Sequence, residues 1–153
     1  MFATAERACS GYLLEVDDRR LWLDAGPGTW QRLLRHLHYR DLDGIVLTHR
    51  HPDHTSDFFM ALHARYLGVA APLPRIPLWA PGETVDMLCD YDASLGDVFE
   101  LHSVTERDSV AIGGASIKFV SMAHPPETLG MRVEHDGKVV AYSADSGPAA
   151  DFK

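Results

Sequence analysis

Residues Thr48 to Thr55 read THRHPDHT, with three histidines and one aspartate at His49, His51, Asp53 and His54. Such density is costly in an ordinary core and unnecessary on a surface. His49 and His51 are two apart at the end of a β-branched apolar run, Leu42 to His49, which has the composition of a buried strand. If the extended geometry continues, both imidazoles point the same way and can converge on one ion. Asp53 and His54 follow through Pro52, just ahead of a helical stretch, and could turn toward a second ion beside the first. Imidazole with carboxylate suits zinc, with manganese or iron as alternatives. Two adjacent divalent ions can supply a hydroxide at neutral pH and clamp a developing oxyanion.

Upstream, SGYLLEV and LWLD read as two strands joined by the polar turn DDRR. Apolar residues at Trp30, Leu33, Leu34 and Leu37 predict a helix over 29–39, capped by Thr29. Downstream, Thr55 or Ser56 can cap a helix that Gly68 stops. A proline-rich connector, the short strand PLWA and the helix GETVDMLCDYD follow. From Phe99 the signals are mostly β, and HDGK marks a tight hairpin. Strands and helices first, then a β-rich run, predict a layered α/β fold in one domain over 1–153.

An apolar content of 46% and a charged content of 24% are ordinary for a globular protein. A net charge of −8 argues against strong nucleic-acid binding, which needs a basic face to displace phosphate counterions. Cys9 and Cys89 have no zinc-pair spacing and do not form a disulfide scaffold. The N-terminus lacks a signal-peptide apolar core, and no run approaches membrane-spanning length. These features predict a cytoplasmic protein acting on a small molecule, with a homodimer left open. His36, His38, His63, His102 and His135 read as surface or structural residues, Glu127 as a solvated loop residue, and Trp22, Trp30 and Trp79 as packing.

The motif THRHPDH resembles the H-x-H-x-D-H signature of the metallo-β-lactamase fold superfamily. LWLDAGPG resembles that family's strand ending in aspartate and glycine. SMAHPPETLGMRVE resembles the segment bearing its third histidine, and VVAYSADSGP the segment bearing its bridging carboxylate. The four matches occur in family order. The resemblance implies a four-layer αβ/βα sandwich, here its first half plus the opening strands of the second. It implies that His49, His51 and His124 hold one metal. It gives Asp53, His54 and Asp145 to the other, with Asp145 shared and Asp53 and His54 counted as catalytic. Asp24 would support the ligands from behind, fixing a histidine tautomer.

Two departures from the family pattern stand out. No histidine follows Asp145, where the family normally has one more ligand, and only a short segment precedes Cys9. The resemblance therefore implies a chain truncated at both ends, with a natural minimal variant as the alternative. LDAGPG, AHPPETLGMRVE and YSADSGP are most similar to the ribonuclease Z and phosphodiesterase branch. The short link from His124 to Asp145 leaves no room for the long arm of the tRNA-processing members. The expectation is a metal-dependent hydrolase of a small or cyclic-nucleotide-like phosphodiester. The alternatives are an ester, lactone, thioester or sulfate hydrolase on the same scaffold, and a catalytically silent metal-binding domain.

Overall fold

The computed structural model describes residues 2–68 and 71–148. The chain opens with a hairpin of β1 (Tyr12–Val16) and β2 (Arg19–Leu23), in antiparallel register. After α1 (Thr29–Leu33) comes β3 (Gly44–Val46), which pairs in parallel with β2 and is buried at every residue. Two helices follow, α2 (Pro52–Thr55) and α3 (Phe58–Tyr66). Then come β4 (Ile76–Ala80), α4 (Gly82–Tyr91), α5 (Leu95–Val98) and β5 (Phe99–Ser103). The first sheet runs in simple order from β1 to β5, parallel from β2 onward. The second sheet is an antiparallel meander of β6 (Ser109–Ile112), β7 (Ala115–Ser121), β8 (Leu129–His135) and β9 (Lys138–Tyr142).

Two apolar clusters hold these layers together. One face of the first sheet, through Trp22, Ile45 and Leu78, packs on Leu33, Phe58, Leu62 and Leu88 of the helices. The other face, through Leu21, Leu23, Val46 and Trp79, packs on Ile117, Phe119, Met131 and Val133 of the second sheet. A parallel strand covered on both faces must be apolar on both, which explains the continuous run in β3. The layers are thus helix, sheet and sheet, the first half of the expected sandwich with strands of the second. Among the described residues, no helix follows β5, and Val139 and Val140 of β9 lie exposed. No described helix is long and apolar enough to cross a membrane.

Three local expectations need correction. The helix over 29–39 is only one turn long, and a separate 3-10 turn covers Tyr39–Asp41. Its end tightens because Arg35 and His36 donate to carbonyls three residues back, which swings Leu37 inward while Leu34 stays partly exposed. Thr29 does not cap it. Gly28 precedes the helix in a left-handed conformation, and the Thr29 hydroxyl donates instead to the Gly26 carbonyl. Thr55 and Ser56 likewise donate back to the carbonyls of His51 and Pro52, so Asp57 becomes the residue ahead of α3. Gly68 does follow the end of α3, where its N–H reaches the carbonyls of His63 and Ala64. The HDGK hairpin forms as read, with Asp136 and Gly137 both at positive φ.

Candidate metal centre

The centre lies where β2 and β3 end and the second sheet folds over them. Beyond β3 the chain stays extended through Thr48 and His49, then turns into α2 with His51 ahead of its first residue and Pro52 at its start. Because side chains alternate on an extended chain, His49 and His51 share a side, while Arg50 between them pairs with Glu83 at 3.4 Å. His49 Nε2 lies 3.0 Å from His51 Nδ1, and His124 Nε2 lies 3.1 Å from the same atom. Four-coordinate zinc with bonds of about 2.0–2.1 Å separates its ligand nitrogens by about 3.3 Å, so this spacing suits one ion.

A second group consists of His49, His54 and Asp145, whose ligand atoms lie within 4.8 Å of one another. Asp145 stands between the two groups, with Oδ1 3.3 Å from His54 Nε2 and Oδ2 4.0 Å from His124 Nε2. Asp53 lies farther out, its Oδ2 3.9 Å from His54 Nε2, and belongs to neither tight group. The sequence motif thus brings His49, His51, His54, His124 and Asp145 to one point, with Asp53 at its margin.

Behind these side chains lies Asp24, fully buried and at positive φ, a conformation that aspartate tolerates better than most residues. Its Oδ1 accepts from the Thr48 N–H at 2.8 Å, and the Thr48 hydroxyl sits 2.9 Å from both carboxylate oxygens. Its Oδ2 lies 2.6 Å from His54 Nδ1. A carboxylate only accepts, so His54 Nδ1 carries a proton, and Nε2 presents a lone pair whenever the ring is neutral. The Thr48 hydroxyl spends its single proton on Asp24 and can then accept from His49 Nδ1, 3.1 Å away, which turns His49 Nε2 inward as well.

This arrangement leaves one buried atom unsatisfied. His54 Nε2 has no aligned hydrogen-bond partner, although Asp145 Oδ1 is 3.3 Å away. A lone pair and a carboxylate oxygen at that distance repel unless a cation lies between them. The cation can be a proton or a metal ion, and the donor set fits a divalent one. Burial is the largest influence on His49 and, with the neighbouring His54, pulls it down to about 4. Burial also opposes charge on His54, but the Asp24 hydrogen bond and the charges of Asp24, Asp145 and Asp53 outweigh it and raise that pKa.

Two residues of this network escape a reading of the sequence alone. Thr48 heads the opening motif and Tyr142 precedes Asp145 by three positions, yet neither is a metal-ligand type. Tyr142 donates to Asp24 Oδ2 at 2.7 Å from the end of β9. The other histidines lie elsewhere. The His38 side chain accepts from the Arg40 N–H, His102 stacks on Trp79, and His135 pairs with Asp17.

Known proteins share this architecture. The model of the beta-lactamase superfamily domain matches residues 19–151. The probable metallo-hydrolase YhfI of Bacillus subtilis is 28% identical over 159 aligned positions, covering 99% of this chain and 62% of YhfI. Its crystal structure superposes with a TM-score of 0.83 at 24% identity, covering 95% of this chain and 58% of that one. A ribonuclease Z of Methanopyrus kandleri is 28% identical over 136 positions, 84% of this chain and 45% of its own length. A diphosphatase of the PhnP family matches with a TM-score of 0.69 at 25% identity, over 83% of this chain and 49% of its own. The chain thus spans less than two thirds of these relatives. With its two stacked sheets and histidine-rich centre, it belongs to the beta-lactamase superfamily and has the metallo-β-lactamase fold.

Proposed function

We propose that this chain carries the metal centre of a metal-dependent hydrolase acting on a small phosphodiester. The observation behind the reading is the pair of ligand groups that share His49, with Asp145 between His54 and His124. In this reading His49, His51 and His124 hold one divalent ion. His54, Asp145 and Asp53 hold the second, with Asp145 common to both. Zinc suits this donor set, with manganese or iron as alternatives. When bound, two such ions supply an activated water and neutralise charge growing on a phosphoryl or carbonyl oxygen.

The chain's own residues prepare that centre. Asp24 and Thr48 hold His54 and His49 in the tautomers that aim Nε2 inward. Burial keeps His49 neutral near pH 7, so its lone pair needs no deprotonation before binding an ion. Asp53 and His54 would stand nearest the reacting oxygen.

The choice of a phosphoester rests on the relatives named ribonuclease Z and diphosphatase. The choice of a small substrate rests on the net charge of −8 and on the span from His124 to Asp145, which the β8–β9 hairpin takes up without an inserted arm. The test is to assay zinc- or manganese-loaded protein against bis(p-nitrophenyl) phosphate and a lactone panel, with chelator controls. Chelator-sensitive phosphodiester cleavage is the expected result. Turnover confined to lactones would move the function to acyl transfer, and bound metal without turnover would mark a silent domain.

A further inference from the structure

We propose that Tyr142 is a positioning residue of this centre, holding Asp24 so that His54 offers Nε2 to a metal ion; this rests on the metallo-hydrolase reading above. β9 turns its first four residues to solvent, and only Tyr142 at its end turns in. Its ring meets Tyr12 edge-on at 5.0 Å, and its phenol reaches Asp24 across the gap between the two sheets.

Packing alone does not account for the phenol. A phenylalanine would fill the same volume against Tyr12, whereas the hydroxyl is committed to a specific atom. A carboxylate only accepts, so the one phenolic proton lies on the Asp24 side. Asp24 Oδ2 is then held from three sides, by Tyr142 at 2.7 Å, His54 at 2.6 Å and Thr48 at 2.9 Å. A carboxylate so surrounded cannot swing, and the imidazole bound to it keeps one tautomer and one ring orientation. Removing the phenol leaves a fully buried carboxylate one donor short. Asp24 regains its hydrogen bonds only by shifting, and His54 shifts with it.

The experiment compares the wild-type chain with Tyr142→Phe. In chelator-treated, isotopically labelled protein in alkaline buffer, long-range proton–nitrogen correlations report which His54 nitrogen bears the proton. The wild type is expected to show protonation at Nδ1 alone, and Y142F a mixture. Zinc competition with a chromophoric chelator should show the ion held by His54 bound about 10-fold more weakly in Y142F. In an Asp24→Asn background the same substitution should change nothing further, because Tyr142 acts through Asp24. Wild-type tautomer and zinc affinity in Y142F, with only a lowered unfolding midpoint, would reduce Tyr142 to a packing role and overturn the proposal. If Y142F does not fold in plain buffer, the same readouts are taken with trimethylamine oxide added to restore the fold. A wild type that binds no zinc sinks the metal reading alone, and the His54 tautomer still decides on Tyr142.

Discussion

His54 Nδ1 and Asp24 Oδ2 lie 2.6 Å apart with both side chains shut off from solvent. The backbone tightens the same joint, since the Ala25 N–H donates to the His54 carbonyl at 2.7 Å. A carboxyl group buried this deeply needs its polar sites filled, and Asp24 has Thr48, His54 and Tyr142 around it.

Asp24→Asn keeps the shape and tolerates the positive φ, so its effect is electrostatic rather than steric. The amide faces its neighbours with one accepting oxygen and an NH2 that none of those donors can use. Unfolding titrations should register a loss of about 1–3 kcal/mol. Zinc competition should show affinity lower by about 10- to 100-fold. Unchanged zinc affinity would remove Asp24 from the metal centre.

Gly26→Ala tests the joint from the other side. A Cβ there would sit 1.9 Å from the Asp53 carbonyl oxygen and 2.7 Å from the Cys9 Cβ, so the start of α2 must move. Overpacking of this kind costs about 1–3 kcal/mol. The signature to look for is loss of zinc together with a lowered midpoint, because α2 carries His54. A variant of full stability and full zinc content would contradict the close approach.

His51→Ala and Asp145→Ala touch half-buried or exposed side chains, so each should leave the unfolding midpoint within about 0.5 kcal/mol of wild type. Metal counting should nevertheless find fewer ions per chain, and in a complete protein metal-dependent turnover should be abolished. His63→Ala serves as the control and should keep its metal. Retained turnover in either of the first two would refute the ligand assignment.

The pH dependence of metal-free stability has a definite sign at His49. Its folded pKa of about 4 lies below the ordinary 6.5, so between those values the unfolded chain binds the proton the folded chain refuses. Stability from this group is complete above 6.5 and falls as pH drops toward 4, by about 3 kcal/mol in all. His54 works in the opposite sense. Its raised pKa stabilises the fold below 6.5, and that contribution fades as pH rises through the raised value. Urea midpoints of chelated wild type and His49→Gln across pH 4–7 separate the two. The variant should lose less on acidification, and parallel curves would refute the burial argument.

Much of this was legible in the sequence because it is local. The histidine spacing, the apolar run into β3 and the DG turn each specify backbone geometry within a few residues. Three things were not. The helix after Gly28 broke early because Leu37 is drawn into the core by contacts outside its own turn. Thr29, Thr55 and Ser56 spent their hydroxyls on nearby carbonyls rather than on capping. Tyr142 gives no local signal of its role, since its partner lies 118 residues earlier.

That separation bears on when the protein can acquire metal. The Asp24–Tyr142 contact closes a loop of 118 residues, and such distant contacts form late because loop closure costs entropy before packing compensates. A chain still emerging from the ribosome has His49, His51 and His54 but lacks His124, Asp145 and the phenol. It can grip an ion only loosely. On the metallo-hydrolase reading, tight metal binding would wait until both sheets have met, and a tightly held ion would report that they have.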